Sequence, residues 1–472
     1  MGDFRVEKDF LGELKVPKDA YWGVQTQRAV ENFPVSGIRF GRRFIHAIGL
    51  LKKTAAQTNV ELGLLDPKLA KAIEQAADEV ISGKLDAHFP LDIYQTGSGT
   101  STNMNANEVI ALRANEILGV PIGQKGPVHP NDHVNMGQSS NDVIPAAIHV
   151  AALVAVEQDL LPALRELEES VRKKAKEFDP LVKSGRTHLM DATPIRLGQE
   201  FSGYASQLDH GIRRVSAARA ALGELAIGGT AVGTGINAHP DLAGKVVEKV
   251  SAATGIRFRV AENHFEAQAA QDALVEASGA VKTAAISMMK IANDLRWLGS
   301  GPRTGLGELN LPAVQPGSSI MPGKVNPVMC EAVMQVAAQV IGNDMAISVA
   351  NSHSNLDLCT MMPVMSHNLQ QSIEILANVS RVFAHRCVDG LTANEALLRR
   401  NAEMSTAIVT RLNPIIGYEK AAELAKESMK TGVSIKQLVV EKKILTQEEA
   451  DKLLDPRVLT EPSKDILGSG GA

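Results

Sequence analysis

The chain has 472 residues, with 49 Lys and Arg against 53 Asp and Glu, which gives a formal net charge of −4. This slightly acidic balance argues against a polyphosphate partner such as a nucleic acid, which requires clustered positive charge. Aromatic residues make up only 4% of the sequence, so the core must be filled by aliphatic side chains. Long packed helices suit such a core better than a sandwich or a barrel. The composition therefore predicts an all-α, mainly helical protein.

The sequence shows the features of neither a membrane protein nor a secreted protein. The longest apolar stretches are interrupted by polar residues, so no membrane-spanning segment is predicted. The first ten residues, MGDFRVEKDF, lack the basic-then-apolar order of a signal peptide. The cysteines Cys330, Cys359 and Cys387 match no disulfide framework, zinc site or iron–sulfur pattern. We therefore expect a cytoplasmic protein that binds no nucleic acid and no membrane.

The sequence patterns divide the chain into three segments. Residues 1–138 mix short amphipathic helices with turns, for example a helix over about 69–81. Residues 139–393 carry the long helical patterns of a central bundle. Residues 394–472 break into the shorter helices of a small C-terminal domain. We therefore expect three domains with these boundaries.

Five long helices are predicted in the central segment. The first follows the capping cluster at 139–142 and continues to about residue 178, with a kink expected at Pro162. The others are predicted at about 193–225, 265–298, 328–349 and 364–387. In the third of the five, Ala alternates with larger apolar residues along a heptad pattern, which lets helix axes approach closely. Helices that are apolar on more than one face usually meet partners from other subunits.

Three polar segments in the first part of the chain lie at or before the starts of predicted helices. Residues 96–103, TGSGTSTN, either form an anion cradle from hydroxyls and backbone amides or simply cap the next helix. Residues 129–133, HPNDH, suggest a metal site, but Pro130 disrupts helical ligand spacing and no third ligand is evident, so no metal is expected. Residues 139–142, SSND, indicate an N-cap, which is compatible with an anion site because a helix N-terminus attracts carboxylates.

Three further glycine-containing segments follow along the chain. In residues 185–191, GRTHLMD, His188 is either an acid–base group suited to neutral pH or a solvated surface side chain. Residues 317–327, GSSIMPGKVNP, form a shaped loop whose hydroxyl, ammonium and amide groups suit a carboxylate pocket; a lid or a structural Ω-loop is the alternative. Residues 227–235 lack the spacing of a dinucleotide-binding motif and predict a structural turn.

The loop at 317–327, GSSIMPGKVNP, resembles the signature of the fumarase/aspartase superfamily. The blocks TGSGTSTNMNANEV, HPNDHVNMGQSSND, SGRTHLMDATP and ELAIGGTAVGTGIN also resemble family blocks, and they occur in the expected order over nearly the whole chain. The chain is most similar to class II fumarases, the iron-free, homotetrameric kind. His188 stands where aspartases usually have Gln, and Gly323 where they usually have Ala.

The resemblance implies a central five-helix bundle that forms a 20-helix core in a homotetramer, with active sites shared between three subunits. It implies reversible anti hydration of fumarate to (S)-malate in the tricarboxylic acid cycle, without cofactor or metal. The implied catalytic residues are Ser318, His188 and Glu331. The implied substrate-binding residues are Ser98, Thr100, Ser139, Ser140, Asn141, Thr187, Ser319, Lys324 and Asn326. A second dicarboxylate site is implied at His129, Pro130, Asn131 and Asp132.

These implied roles agree with the chemistry of the reaction. Removing the C3 proton of malate places negative charge on the adjacent carboxylate, which Lys324 and Asn326 would stabilise. Ser318 can act as the base only if its alkoxide is stabilised by backbone amides. His188, oriented by Glu331, would handle the water. The alternatives are an aspartate ammonia-lyase of the same superfamily and a catalytically silent helical scaffold; the joint presence of these five residues argues against the scaffold.

Overall fold

The computed structural model describes residues 4–463, which are mainly helical with four two-stranded sheets. The helices are α1 (Val24–Asn32), α2 (Arg42–Glu61), α3 (Pro67–Ile81), α4 (Thr100–Ile117), α5 (Ser140–Ala155), α6 (Leu161–Glu177), α7 (Leu197–Ala217), α8 (Arg219–Leu222), α9 (Leu242–Thr254), α10 (His264–Ala269), α11 (Asp272–Leu298), α12 (Val328–Ser352), α13 (Met362–Arg386), α14 (Glu395–Met404), α15 (Asn413–Ile416), α16 (Tyr418–Thr431), α17 (Ile435–Glu441) and α18 (Gln447–Leu453). The strands are β1 (Phe4–Asp9), β2 (Gly12–Pro17), β3 (Val182–Thr187), β4 (Met190–Arg196), β5 (Glu224–Leu225), β6 (Arg259–Val260), β7 (Leu309–Asn310) and β8 (Thr392–Ala393). Short 3₁₀ turns lie at Asp86–His88, Val388–Gly390, Thr406–Leu412 and Val458–Thr460.

The described chain forms two compact units, each made of three stretches of sequence. The first unit comprises residues 4–162, 211–285 and 336–377. In this unit α2 packs against α3, α5 and α9, and Ile48, Leu51 and Ile73 are completely buried. The helix α3 begins where the Asp66 side chain accepts hydrogen bonds from two backbone N–H groups of the first turn.

The second unit comprises residues 163–210, 286–335 and 378–463. Its antiparallel hairpin β3–β4 packs against α14 and the 3₁₀ turn Thr406–Leu412. The helices after this turn enclose a separate aliphatic cluster that includes Ile408, Leu412, Leu424, Leu438 and Val439. This hairpin and the two-stranded sheet β7–β8 supply most of the strand structure of the second unit.

The first predicted long helix is confirmed as a continuous run of 38 residues, Ser140–Glu177. A capping box starts it: the Ser139 hydroxyl accepts from the first turn, and the Asp142 carboxylate accepts from the Ser139 N–H. A π turn at Val156–Leu160 joins α5 to α6 and ends two residues before Pro162. In a regular α-helix the ring of Pro162 would clash with the carbonyl four residues before it, so the wider turn accommodates the proline at the place where a kink was expected.

The predicted start of the second long helix, near residue 193, is wrong. Residues 193–196 belong to β4, and the helix α7 begins at Leu197. Pro194 disfavours the helical conformation of Thr193, and β4 pairs with β3 between Val182 and Thr187, with a register shift between Ser184 and Arg186. The helix also ends earlier than predicted, because α7 stops at Ala217 and α8 is a single turn.

The predicted third helix, 265–298, is interrupted in the structure. The chain leaves the helix at Ala270, which is extended, and α11 begins at Asp272. Backbone groups beside the break bond elsewhere: the Gln271 N–H donates to Asn351 Oδ1 at 2.8 Å, and the Gln268 carbonyl accepts from the Cys359 N–H at 3.0 Å. These distant partners satisfy the groups that a continuous helix would have paired internally.

The predicted helices at 69–81, 328–349 and 364–387 are confirmed as α3, α12 and α13.

No membrane-spanning segment was predicted from the sequence, but two helices are long and apolar enough to cross a membrane by length and composition alone. In Ser140–Glu177, 78% of the most apolar stretch is buried inside the protein, as in the core helix of a globular domain. In Val328–Ser352 only 33% of that stretch is buried. A large apolar part of α12 therefore lies on the surface of the single chain.

Candidate active site

The loop at 317–327 is closed on itself by hydrogen bonds within the loop. The Gly317 N–H donates to the Lys324 carbonyl at 2.8 Å, and Asn326 Nδ2 donates to the Gly317 carbonyl at 2.5 Å. Inside this ring the Ser318 hydroxyl oxygen accepts the backbone N–H groups of Ile320, at 3.2 Å, and of Met321, at 2.9 Å. Two amide donors on one hydroxyl oxygen would stabilise negative charge there. The side chains of Ser319 and Lys324 are exposed in the same loop.

His188 occupies the tip of the β3–β4 hairpin. Thr187 pairs with Met190, so His188 and Leu189 form a two-residue connection. Both residues have positive φ, 57° and 63°, which is the requirement of a type I′ hairpin turn. The whole tip is exposed in the single chain, including the apolar side chains of Leu189 (64%) and Met190 (70%). The hairpin thus projects an imidazole beside apolar surface that the chain itself does not cover.

A buried cluster of four charged groups lies at the base of this hairpin. Arg186 donates to Glu308 Oε1 at 2.6 Å, and Lys183 Nζ lies 3.2 Å from Glu308 Oε2 and 3.0 Å from Glu200 Oε2. Glu308 and Lys183 are 0% and 1% exposed. Burial alone would lower the pKa of Arg186, but the hydrogen bond and charge of Glu308 raise it overall. The cluster fixes the strand that leads directly into Thr187 and His188.

Four of the implied substrate-binding residues meet in the first unit. Ser98 Oγ and Thr100 Oγ1 are 2.7 Å apart, Thr100 Oγ1 and Ser140 Oγ are 2.8 Å apart, and Ser140 Oγ lies 3.4 Å from Asn141 Oδ1. We call Ser98, Thr100, Ser140 and Asn141 the hydroxyl cluster. A Cβ atom on Gly97 would stand 1.7 Å from the Thr360 carbonyl oxygen, so only glycine allows this close approach.

Two buried charges lie below the start of α5. Asp142, which is 0% exposed, accepts the N–H groups of Ser139, Gly228 and Thr230 at 2.9, 3.0 and 2.9 Å. Lys52, also 0% exposed, is the nearby cation. Burial lowers the pKa of Lys52 to about 7, opposed by the charge of Asp142. Burial likewise raises the pKa of Asp142, opposed by its backbone donors.

The predicted structural turn at 227–235 has a definite role in this arrangement. Its Thr230 adopts a positive φ of 53°, and the N–H groups of Gly228 and Thr230 both point to Asp142. The Ala231 carbonyl accepts from Asn141 Nδ2 at 2.7 Å. The turn therefore holds the start of α5 through side chains of that helix.

The segment implied as a second dicarboxylate site begins with a π turn, Pro130–Val134. His129 Nδ1 accepts the Asp132 N–H at 3.2 Å, and His133 Nδ1 accepts the His129 N–H at 2.8 Å. The side chains of His129 and Asp132 are 48% and 74% exposed. Between residues 4 and 463, no group of three or more His, Cys, Asp or Glu side chains has a metal-binding arrangement.

The single chain does not bring all implied site residues together. Within the described chain no hydrogen bond or ion pair joins His188 to Glu331, which lies in the first turn of α12, or joins either residue to Ser318. The sequence analysis missed Lys52 and Glu308. Each is one charged residue within an otherwise ordinary segment, and the partners of both lie more than 80 residues away in sequence. For Lys52, the sequence signal was a charged residue at a position where the helical pattern predicts the core.

Comparison with known proteins identifies the family. Residues 12–342 match the family model described as Lyase, and residues 408–461 match that described as Fumarase C C-terminus. The fumarate hydratase class II of Halobacterium salinarum is 57% identical over 458 residues, which cover 97% of each chain. That of Corynebacterium glutamicum is 56% identical over 461 residues, which cover 96% of each. The chain belongs to the class II fumarase family.

Solved structures agree with this assignment. A class II fumarase from Schistosoma mansoni matches with a TM-score of 0.94 and 38% identity over 97% of this chain and 99% of that one. A fumarate lyase:delta crystallin from Brucella melitensis matches with a TM-score of 0.93 and 43% identity over 97% and 100%. The 3-carboxy-cis,cis-muconate lactonizing enzyme of Pseudomonas putida shares the fold, with a TM-score of 0.71 at 19% identity. The predicted all-α fold of this class II fumarase is confirmed.

Proposed function

We propose that the protein is a fumarate hydratase that catalyses the reversible anti addition of water to fumarate, giving (S)-malate. The observation that carries the proposal is the pair of hydrogen bonds that the Ser318 hydroxyl oxygen accepts, in a chain of this family. Its oxygen accepts two backbone N–H groups on a loop that also presents an ammonium group, from Lys324. A serine hydroxyl is a poor base unless its alkoxide is stabilised, and oriented amides supply that stabilisation without reorganisation.

The first chemical step is removal of the C3 proton of malate by Ser318. The electrons left behind move into the adjacent carboxylate, which becomes a doubly charged aci-carboxylate. Lys324 and Ser319, which are exposed on the same loop, would bind these oxygens together with Asn326. Asn326 Nδ2 donates one of its two N–H groups to the Gly317 carbonyl, so its second N–H would donate to a substrate oxygen.

His188 completes the reaction at the C2 side. Its imidazole protonates the departing hydroxyl group in dehydration and accepts a proton from water in hydration. Glu331 orients the imidazole, and Thr187, the residue before His188 on the hairpin, donates to a substrate oxygen. The hydroxyl cluster and Ser139 bind the other carboxylate at the start of α5, where the helix dipole favours an anion.

We propose that each active site combines residues of three chains in a homotetramer. The helix Ser140–Glu177 has 38 residues, so its ends are about 57 Å apart. His188 follows Glu177 by eleven residues, which can span at most about 38 Å. A helix of this length followed by so short a connection supports a site in which Ser140 and His188 come from different chains.

Exposed apolar surfaces support the same assembly. On α12 the side chains of Ile341, Met345 and Val349 are 38%, 64% and 47% exposed. They lie on the helix whose apolar stretch is mostly uncovered in the single chain. Burial of such faces drives subunit association. The central segment 139–393 would then supply five helices per subunit to a 20-helix core.

We further propose that catalysis needs neither metal nor organic cofactor and takes place in the cytoplasm. The three cysteines are free and buried, as is usual in a reducing compartment. The Brucella melitensis relative is described as bound to cobalt, so the metal question needs its own test. Exhaustive chelation should leave the hydration rate unchanged. Loss of activity that only added metal restores would reject this part of the proposal.

The reaction itself is tested by substrate competition. Malate, aspartate and argininosuccinate are supplied separately to the purified protein, and fumarate formation is followed by its ultraviolet absorbance. We expect fumarate from malate and a much slower or absent signal from the other two. Faster formation from aspartate would make the protein an ammonia-lyase, and no fumarate from any substrate would support a silent scaffold.

A further inference from the structure

Lys52 is a fully buried lysine on α2 that the proposed reaction does not use. Its Nζ donates to Asn135 Oδ1 and to Gln138 Oε1, both at 2.9 Å. These two acceptors lie in the segment between the exposed His129–Asp132 turn and Ser139, which caps α5. The ammonium group therefore supports, from below, the stretch of backbone that leads into the proposed carboxylate-binding end of α5.

The orientation of Asn135 is fixed by an unusual concentration of donors. Besides Lys52, the amide groups of Asn103 and Asn107 on α4 donate to Asn135 Oδ1, both at 3.2 Å. Asn135 Nδ2 in turn donates to the Gln138 carbonyl at 3.0 Å. One oxygen thus accepts three donors while the nitrogen of the same amide closes the segment on itself, so the segment has one well-defined conformation.

The second function of Lys52 is electrostatic. Asp142 is a buried anion in the first turn of α5, and its carboxylate is bonded to three backbone N–H groups rather than to a cation. Such a charge below a helix N-terminus would weaken the attraction of that terminus for a dicarboxylate. Lys52 is the positive group whose charge acts on Asp142 within the same unit. In its protonated form, which predominates below its pKa of about 7, Lys52 offsets the anion without occupying the surface.

We propose that Lys52 is a positioning residue that holds Asn135 and Gln138 and balances Asp142, so that the start of α5 attracts the substrate dianion. This inference rests on the proposed function, because it assigns the binding of one substrate carboxylate to Ser139, Ser140 and Asn141. It concerns substrate binding more than the proton transfers, which take place on the loop of Ser318 and on the hairpin of His188.

The test compares charge loss with charge retention at this position. In Lys52→Met assayed at pH 6, where the wild-type lysine is protonated, we expect KM for malate to rise about tenfold, because both charges of the substrate lose the attraction of the ammonium group. We expect kcat to change less than about threefold, because the reacting groups remain in place. Lys53→Met is the matched control: Lys53 is the next residue of α2, and its Nζ pairs with Asp78 at 2.7 Å near the surface. It should leave both constants unchanged.

A binding measurement separates charge from mere structure. Calorimetric titration with succinate, an unreactive dianion, and with butanoate, a monoanion, gives the ratio of the two dissociation constants. We expect Lys52→Met to weaken succinate binding about tenfold and butanoate binding about threefold or less, since the smaller charge is less affected. Lys52→Arg keeps the charge and should keep the wild-type ratio. A loosened structure would weaken both ligands equally and would not distinguish Arg from Met.

The outcomes are distinct for the two proposals. Unchanged succinate binding in a folded Lys52→Met tetramer with normal hydration overturns the role of Lys52 alone. Succinate binding by the wild-type protein without any hydration of fumarate rejects the proposed function alone, and the absence of both succinate binding and hydration rejects both proposals. If Lys52→Met does not fold, Lys52→Gln takes its place as the neutral variant. Failure of both neutral variants to fold, while Lys52→Arg folds, assigns Lys52 to stability only and also overturns the inference.

Discussion

Removing the charge of Glu308 should destabilise the protein strongly through the hairpin that carries His188. The carboxylate is completely buried and contacts two cations, Arg186 at 2.6 Å and Lys183 at 3.2 Å. The substitution Glu308→Gln keeps the size of the side chain but leaves those cations with Glu200 as their remaining anion. Breaking a buried ion pair by removing one partner costs about 3–5 kcal/mol. The equilibrium constant for unfolding should therefore rise by roughly 10²–10⁴.

Urea unfolding at one fixed protein concentration, followed by circular dichroism, measures this change. The matched control is Glu403→Gln, which removes the carboxylate of an exposed pair with Arg399 at 2.9 Å and should not shift the midpoint measurably. In the fraction of Glu308→Gln that remains folded, turnover should also fall, because the strand leading to His188 has lost its anchor. Equal unfolding midpoints for the two variants would refute the reasoning that the buried cluster holds the hairpin.

Three further predictions address the reaction, the assembly and the pH dependence. Ser318→Ala should lower kcat by at least about 10³-fold without shifting the unfolding midpoint, because a partly exposed hydroxyl is lost and no core cavity forms; near-normal turnover would reassign the base. Inactive Ser318→Ala and His188→Asn chains, unfolded and refolded as an equal mixture, should recover about a quarter of the wild-type activity if each site takes these residues from different chains; mixed tetramers without activity would contradict the shared site. Burial lowers the pKa of His149, so the folded protein keeps it neutral and loses stability as pH falls below about 6.5, where the unfolded chain binds the proton. His149→Asn, whose amide can still donate to the Glu224 carbonyl that His149 Nδ1 contacts at 2.7 Å, should flatten that acid-side slope in urea titrations, and an unchanged slope would exclude His149 as its source.

Local signals predicted the long helices well. The capping residues before α5 and the proline before α12 fix the starts of two helices through contacts within a few residues. The break at Ala270 could not be predicted in this way, because it depends on Asn351 and Cys359, which are about 80 to 90 residues away in sequence. The helical pattern across that position is nearly continuous, and only the three-dimensional structure shows which backbone groups bond elsewhere.

The candidate site shows the same division between local and distant information. Ser318, Lys324 and His188 stand in glycine-rich segments whose composition already indicates shaped loops, so the sequence draws attention to them. Lys52 and Glu308 act through partners far along the chain and have no motif around them. The β3–β4 hairpin was missed for a related reason: its strands are short, and the pairing that stabilises them joins residues on either side of His188.

The helix Ser140–Glu177 is continuous, so the number of its residues sets the distance between its two ends. Each residue inserted there would lengthen the rod by about 1.5 Å and rotate everything beyond it by about 100°. In an assembly in which every chain contributes both ends, one such insertion would displace parts of several active centres at once. We therefore expect insertions and deletions to be excluded from this helix among active variants, whereas the connection at 118–127, between α4 and the His129 segment, should tolerate changes of length. The length of this helix is therefore expected to be constrained by its contribution to several active sites.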